Sequence, residues 1–326
     1  MNHEKLLSEK RLLLEAELTP IQGDRFQPTG FPELGPATYT MPDGLEMLLL
    51  ESSQSVANRL EAVCWDSGTQ ELAAPLKGMP YVSVTYEGEE LTNSILEAHR
   101  LNSSYIMGNT ETTFFKKLQD ELSGLETGPI DERRLAEVVA KYDPNAIIHG
   151  IFFARKELAG GRLRLPRLLS GFIEARDVRP VESGGVKNDR VDPTASTKLG
   201  FGNVPYARTE YVAGSICAYF NFDLQRLRSY RLERNVEDFL VTLALWKTRK
   251  FLENGLRLRT ACDLTLKNGV KTEAPGGFDL PPTGELEAAL PELIDKIGVF
   301  AEPPVTIIEF DPPKNWRKEN KAEEPA

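Results

Sequence analysis

A chain of 326 residues with 40% hydrophobic and 27% charged residues and a net charge of −10 can bury a good core, as one large domain or two small ones. No apolar run approaches the length of a membrane span, and Met1-Asn2-His3-Glu4-Lys5-Leu6-Leu7 contains no signal-like apolar stretch, so a cytoplasmic protein with no membrane partner is expected. Cys64, Cys217 and Cys262 are widely spaced and form no C-x-x-C pair, which argues against a disulfide framework and a zinc site.

Arg11 to Leu18 suits a strand with one buried face, with a helix running in from Glu4 as the alternative. Thr19 to Gly44 is rich in Pro and Gly, cannot be a regular helix, and carries Arg25 beside Phe26. Leu48-Leu49-Leu50-Glu51-Ser52-Ser53-Gln54-Ser55 then opens an amphipathic helix with Val56, Leu60, Val63 and Cys64 on one face. Tyr81 to Tyr86 alternates as a strand. Ser94 to Tyr105, Thr110 to Leu122 and Asp131 to Tyr142 read as a helical block inserted between sheet segments.

His149 to Ala154 reads as a core strand and Leu168 to Asp177 as another. Glu182 to Tyr206 has several glycines and prolines and almost no apolar periodicity, so it is expected to be a protruding, mobile loop or hairpin. Tyr211 to Phe222 is an aromatic-rich strand. Leu227 to Asn254 is the longest expected helix, with Val236, Phe239, Leu240, Leu243 and Trp246 as its buried stripe. Ala261 to Leu266 and Val305 to Phe310 are strand-like, and the charged tail after Asp311 is expected to be disordered. The order is α+β and close to a ferredoxin-like β-α-β-β-α-β plan, which the RNA-recognition motif shares.

The helix start at Ser53, Gln54 and Ser55 offers unpaired N–H groups, small side chains, and donors from Gln54, Asn58 and Arg59, which together suit a phosphate. The same residues also make an ordinary N-cap. Basic residues cluster locally: seven against three acidic from Ile151 to Arg179, and nine against four from Gln225 to Arg259. Such a stripe can bind phosphates on an acidic body, although solvated helix faces use the same residues. No P-loop, G-x-S-x-G or H-E-x-x-H occurs, and the carboxylates show no metal-ligand pattern. His99 and His149 are the only pair able to act as acid and base on RNA, and neither has a visible positioned partner. A non-enzymatic scaffold without a cofactor is therefore expected, with a His-dependent endoribonuclease as the alternative.

Four segments together resemble the Cascade backbone subunit of type I-G (formerly I-U) CRISPR systems, in the Cas seven superfamily of RAMP proteins. They are Leu14-Glu15-Ala16-Glu17-Leu18-Thr19-Pro20, Gln22 to Pro32, Leu48 to Leu60 and Leu96-Glu97-Ala98-His99-Arg100-Leu101-Asn102-Ser103. The resemblance implies an RRM-like palm (1–89, 147–181 and 207–311), a helical finger insertion (90–146), a thumb (182–206) and a disordered charged tail (312–326). It implies copies stacked head to tail along a guide RNA (crRNA), which is held ready for a target DNA strand. Further implied partners are a large subunit, a guide-end capping subunit and an effector helicase-nuclease. The residues implied to touch RNA are Arg25, Ser53, Gln54, Ser55, Asn58, Arg59, His99, Arg100, Lys187, Arg190, Lys198, Phe201 and Arg208. Asn58 stands where related subunits often carry Lys or Arg, which leaves the charge to Arg59.

Overall fold

The computed structural model describes residues 6, 8–31, 33–313 and 316. Strand β1 (Arg11–Pro20) buries Leu12, Leu14, Ala16 and Leu18 and leaves Leu13, Glu15 and Glu17 half-exposed, the alternation of a strand with one covered face. After β2 (Thr38–Thr40) and β3 (Glu46–Glu51) comes α1 (Ser53–Ala62). Strands β4 (Tyr81–Tyr86) and β5 (Glu89–Asn93) lead to α2 (Ser104–Met107), α3 (Thr113–Leu122), α4 (Glu132–Tyr142) and α5 (Pro144–His149). A short ribbon, β6 (Ile151–Phe153) with β7 (Leu163–Leu165), precedes the long hairpin of β8 (Leu169–Lys187) and β9 (Val204–Asp223). The chain closes with α6 (Leu224–Ser229), α7 (Arg234–Glu253), β10 (Arg257–Arg259), β11 (Cys262–Ala274), α8 (Thr283–Asp295) and β12 (Val305–Glu309).

Seven strands form one antiparallel sheet in the order β10-β11-β1-β9-β8-β3-β2. Val56 of α1 lies over Gly171, and Phe251 of α7 meets Phe220 edge-on with ring centroids 6.1 Å apart, so both helices cover the same face. The opposite face carries cross-strand rows of Glu15–Tyr219–Phe172 and Glu17–Cys217–Glu174, with the Phe172 and Tyr219 rings stacked at 5.0 Å.

The β8–β9 ladder runs on to Lys187 opposite Val204, well past the last sheet neighbours: β3 pairs only as far as Arg176, and β1 only as far as Ile216. Where the ribbon leaves the sheet, Asp177 has φ 51° and faces Gly214. Beyond that point the Phe26–Tyr211 bridge, with the Arg25–Glu210 ion pair at 3.3 Å and the bond from Gln27 Nε2 to Thr209 O at 3.4 Å, ties the ribbon to the body. Residues 182–206, expected as a loop or hairpin, form this outer end.

Several expectations change. Tyr81–Tyr86 and Val305–Glu309 are not in the main sheet; β12 lies parallel to β4 in a separate three-stranded sheet with β5. Ser94 to Tyr105 is not one helix. Asn93 Oδ1 accepts from the amides of Ile95 and Leu96, both at 3.1 Å, a local turn that competes with helix formation. The helix expected from Leu227 to Asn254 breaks between α6 and α7, where Arg231 has φ 49°. His149 ends α5 rather than starting a strand, and Phe152, expected in a core strand, is 50% exposed. Helix α8 was not foreseen. Among the described residues no helix is long and apolar enough to cross a membrane. Of the tail expected at 312–326, only residues 312, 313 and 316 lie among the described residues.

A Cβ on Gly171 would stand 2.8 Å from the Phe220 ring and from Tyr219 O, and 3.1 Å from Val56. Gly171→Ala therefore lifts α1 off β8 and is expected to lower stability by about 1–3 kcal/mol in urea unfolding, the usual cost of overpacking a core.

Candidate nucleic-acid interface

Ser52 caps α1, accepting from the Ser55 amide at 3.3 Å. The preceding residue, Glu51, has a fully buried side chain. Its carboxylate accepts from Ser55 Oγ, from Arg59 Nη2 at 3.2 Å and from Arg259 Nη2. Arg59 also donates to Leu258 O at 2.6 Å. Glu51 thus occupies the positive end of the helix. Ser55 and Arg59, expected to face a phosphate, are turned toward it instead. Ser53, Gln54 and Asn58 remain exposed, with Gln54 Nε2 donating to Asn58 Oδ1 at 2.8 Å.

Arg100 also departs from expectation. It is buried, with φ 52°, and its fork donates to Glu61 Oε1 at 2.6 Å and Oε2 at 2.7 Å. Its Nη1 reaches Gly150 O at 3.0 Å. Nearby, the fully buried Lys247 donates to Asn145 Oδ1 and, at 2.8 Å, to His149 Nε2. An ammonium has no acceptor, so His149 Nε2 accepts and the ring proton sits on Nδ1. Burial, followed by the charges of Lys247, Arg100 and Arg167, holds the His149 pKa well below its ordinary value, so the ring is neutral. This network joins α1, the 93–103 turn, α5 and α7.

Above it opens a cleft of about 810 Å³, lined by His99, Asn102, Phe152, Arg164, Arg167 and Arg226 among others. Gly150 shapes its floor. It has φ 81°, and a Cβ there would stand 2.8 Å from the Arg167 amide. Arg167 reaches from this floor to the start of α1, donating to Ser53 O at 3.0 Å and Gln54 Oε1 at 2.8 Å. Burial, followed by the charge of Arg100, pulls its pKa below the usual guanidinium value. Among the described residues no carboxylate lies within ion-pair distance of Arg164 or Arg167, whereas Arg226 is paired with Glu132 at 2.6 Å. The cleft therefore presents uncompensated cations continuous with the exposed helix start.

Of the residues singled out from the sequence, the structure brings His99, Arg100 and His149 to the lining of this cleft, the latter two in its buried floor, while the α1 start is linked to it only through Arg167. Arg25 and Arg208 are elsewhere, flanking the buried Glu210 at 3.3 and 2.6 Å. Phe26, read as Arg25's aromatic neighbour, is buried. Lys187, Arg190, Lys198 and Phe201 are exposed on the outer hairpin and do not line the cleft. There, Asp189 Oδ1 accepts from the Val191 amide at 2.8 Å, and Oδ2 from the Gly202 amide at 2.7 Å, closing the tip. Arg164, Arg167 and Phe152 were missed as site residues. The local excess of basic residues from Ile151 to Arg179 was the signal that could have found the two arginines.

Arg100→Met leaves Glu61 buried and unpaired and is expected to cost about 3–5 kcal/mol in urea unfolding, while the double variant Glu61→Leu/Arg100→Met recovers most of that loss. A second test uses Asp143, which caps α5. Burial, aided by the charge of Glu61, pushes its carboxyl up to about 7, against pulls from Ser94, the Ala146 amide and Arg100. A raised carboxyl favours the protonated folded state, so its contribution is full below 3.8 and is lost as pH rises through about 7. Asp143→Asn is expected to flatten the stability profile across that window relative to the unsubstituted chain, as read by denaturation at each pH.

Residues 12–180, just over half of the chain, match the family described as CRISPR-associated protein GSU0053. No curated protein matches. Among solved structures, a chain described as "CRISPR RNA-guided surveillance complex, pre-nicking" aligns over 85% of this chain and 80% of its own length, with 15% identity and a TM-score of 0.43.

Proposed function

Because this chain belongs to the GSU0053 family of CRISPR-associated proteins, a Cas7-type family, we propose that it is a non-catalytic backbone subunit of a Cascade surveillance complex. It polymerises head to tail along a guide RNA and presents that RNA for pairing with a target DNA strand, in the cytoplasm. The observation that carries the reading is the cleft: on a chain of net charge −10, Arg164 and Arg167 stand unpaired by any described carboxylate, beside an exposed helix start. Such a surface binds phosphates irrespective of sequence, as a guide of any sequence requires.

Further support comes from topology. The strands β11-β1-β9-β8, taken with α1 before β8 and α7 before β11, follow the β-α-β-β-α-β connectivity of an RRM-like palm. Helices α2 to α4 then serve as the fingers and the outer hairpin as the thumb. A head-to-tail contact is heterologous and forms an open helical assembly. The large subunit, the guide-end capping subunit and the effector helicase-nuclease dock on this filament.

The endoribonuclease alternative finds less support. His99 and His149 line one cleft, but His149 is buried and neutral, with Nε2 held by Lys247. A general acid needs an exchangeable proton within reach of its substrate.

Coexpression with a CRISPR array is the test. A particle rich in 260 nm absorbance, whose mass grows with guide length, is expected. A chain that stays free of RNA when its partner subunits are coexpressed overturns the reading.

A further inference from the structure

The ribbon of β6 and β7 places one aromatic ring where it serves no core. Ile151, Phe153, Leu163 and Leu165 are buried on its inner face, whereas Phe152 and Arg164, directly opposite each other in the ladder, both point outward. Phe152 is 50% exposed and lines the cationic cleft. No ring or cation of a described residue lies over its face. An open aromatic face bordered by Arg164 and Arg167, in a cleft of about 810 Å³, matches the chemistry of an unpaired nucleotide: a base to stack and phosphates to neutralise. A bare phosphate site has no use for the ring. A protein partner docking through Phe152 would have to bury the two arginines, which meet no carboxylate here.

We propose that the β6–β7 ribbon is a nucleobase platform, on which one unpaired base of a single-stranded nucleic acid stacks on Phe152 while its flanking phosphates lie on Arg164 and Arg167. The platform rests on the reading of the chain as a nucleic-acid binder. It divides the labour between a ring that is insensitive to salt and two cations that are sensitive to it. Because every base has a stacking face, the platform tolerates any sequence.

The full chain is titrated with labelled oligouridine RNA and labelled oligothymidine DNA across a salt series, read by fluorescence anisotropy. Phe152→Ala is expected to weaken binding by roughly fivefold or more at every salt concentration, the effect of losing one aromatic stack. The slope of log K against log salt stays unchanged, and Phe152→Trp restores the affinity. Arg164→Gln and Arg167→Gln are each expected to reduce that slope by about 0.7. These side chains sit at the surface or cleft wall, and the melting temperature of each variant verifies folding. Loss with RNA alone assigns the platform to the guide; equal loss with both strands assigns it to any single strand. Wild-type affinity in Phe152→Ala, beside normal binding by the unsubstituted chain, overturns the platform alone. No binding by the unsubstituted chain overturns the platform, while the proposed function stands or falls on the coexpression test.

Discussion

The cleft exists because Glu61 is buried against Arg100. Two opposite charges removed from water are costly, and only a near-ideal geometry offsets the loss. Here the guanidinium fork meets both carboxylate oxygens, its remaining arm meets a backbone carbonyl, and Asn145, Lys247 and His149 complete the surroundings. Breaking one member leaves an unpaired charge in the core. The pair is thus less a source of stability than a demand for one arrangement of α1, the 93–103 turn, α5 and α7. A second consequence is electrical. Arg100 lies under the cleft floor, where burial weakens screening, and its charge acts on Arg167 above it. That repulsion is relieved by an anion.

Elsewhere two buried carboxylates each neutralise a pair of arginines. Glu51 is bracketed by Arg59 and Arg259, and Glu210 by Arg25 and Arg208. The uncovered sheet face holds the stacked Phe172 and Tyr219, the kind of aromatic pair that many sheets use to bind bases. Glu15, Glu17 and Glu174 stand among them, however, and Glu174 accepts from Tyr39 Oη at 2.7 Å; burial, followed by Glu174, raises that phenol to about 12. Carboxylates in that position repel phosphates. The two arginines without a described carboxylate partner, Arg164 and Arg167, stand instead in the β6–β7 cleft, off that face of the sheet.

Local pattern made much of this legible. The alternation in Arg11–Leu18 gave β1 its buried face, and the serine run before the apolar stripe supplies the ordinary N-cap, which the structure assigns to Ser52. Asp131 and Asp143 mark helix starts in the same way. What local pattern could not carry was pairing at a distance. Tyr81–Tyr86 reads as a strand, but nothing in it says that its partner lies more than two hundred residues away in β12. The site failed for a related reason. Arg59 and Arg100 look like free cations until a carboxylate brought in by another segment claims them. Glu61 and Lys247 interrupt apolar stripes, a clue that each is buried with a partner. Helix α8 escaped notice because Gly284 and Pro291 break its pattern, although its buried face packs on α7.

The long hairpin adds a mechanical consequence. Up to Asp177 its strands are held in a wide sheet; beyond it they form a lone ribbon, and a two-stranded ribbon bends far more readily than a sheet. The change of stiffness falls at one place, where Asp177 takes a positive φ opposite Gly214. Just beyond it, the Phe26–Tyr211 bridge and the Arg25–Glu210 ion pair hold the base of the arm against the body. A tip closed by Asp189 at the end of such a ribbon can shift with less strain on the sheet than one carried by a wide sheet would impose.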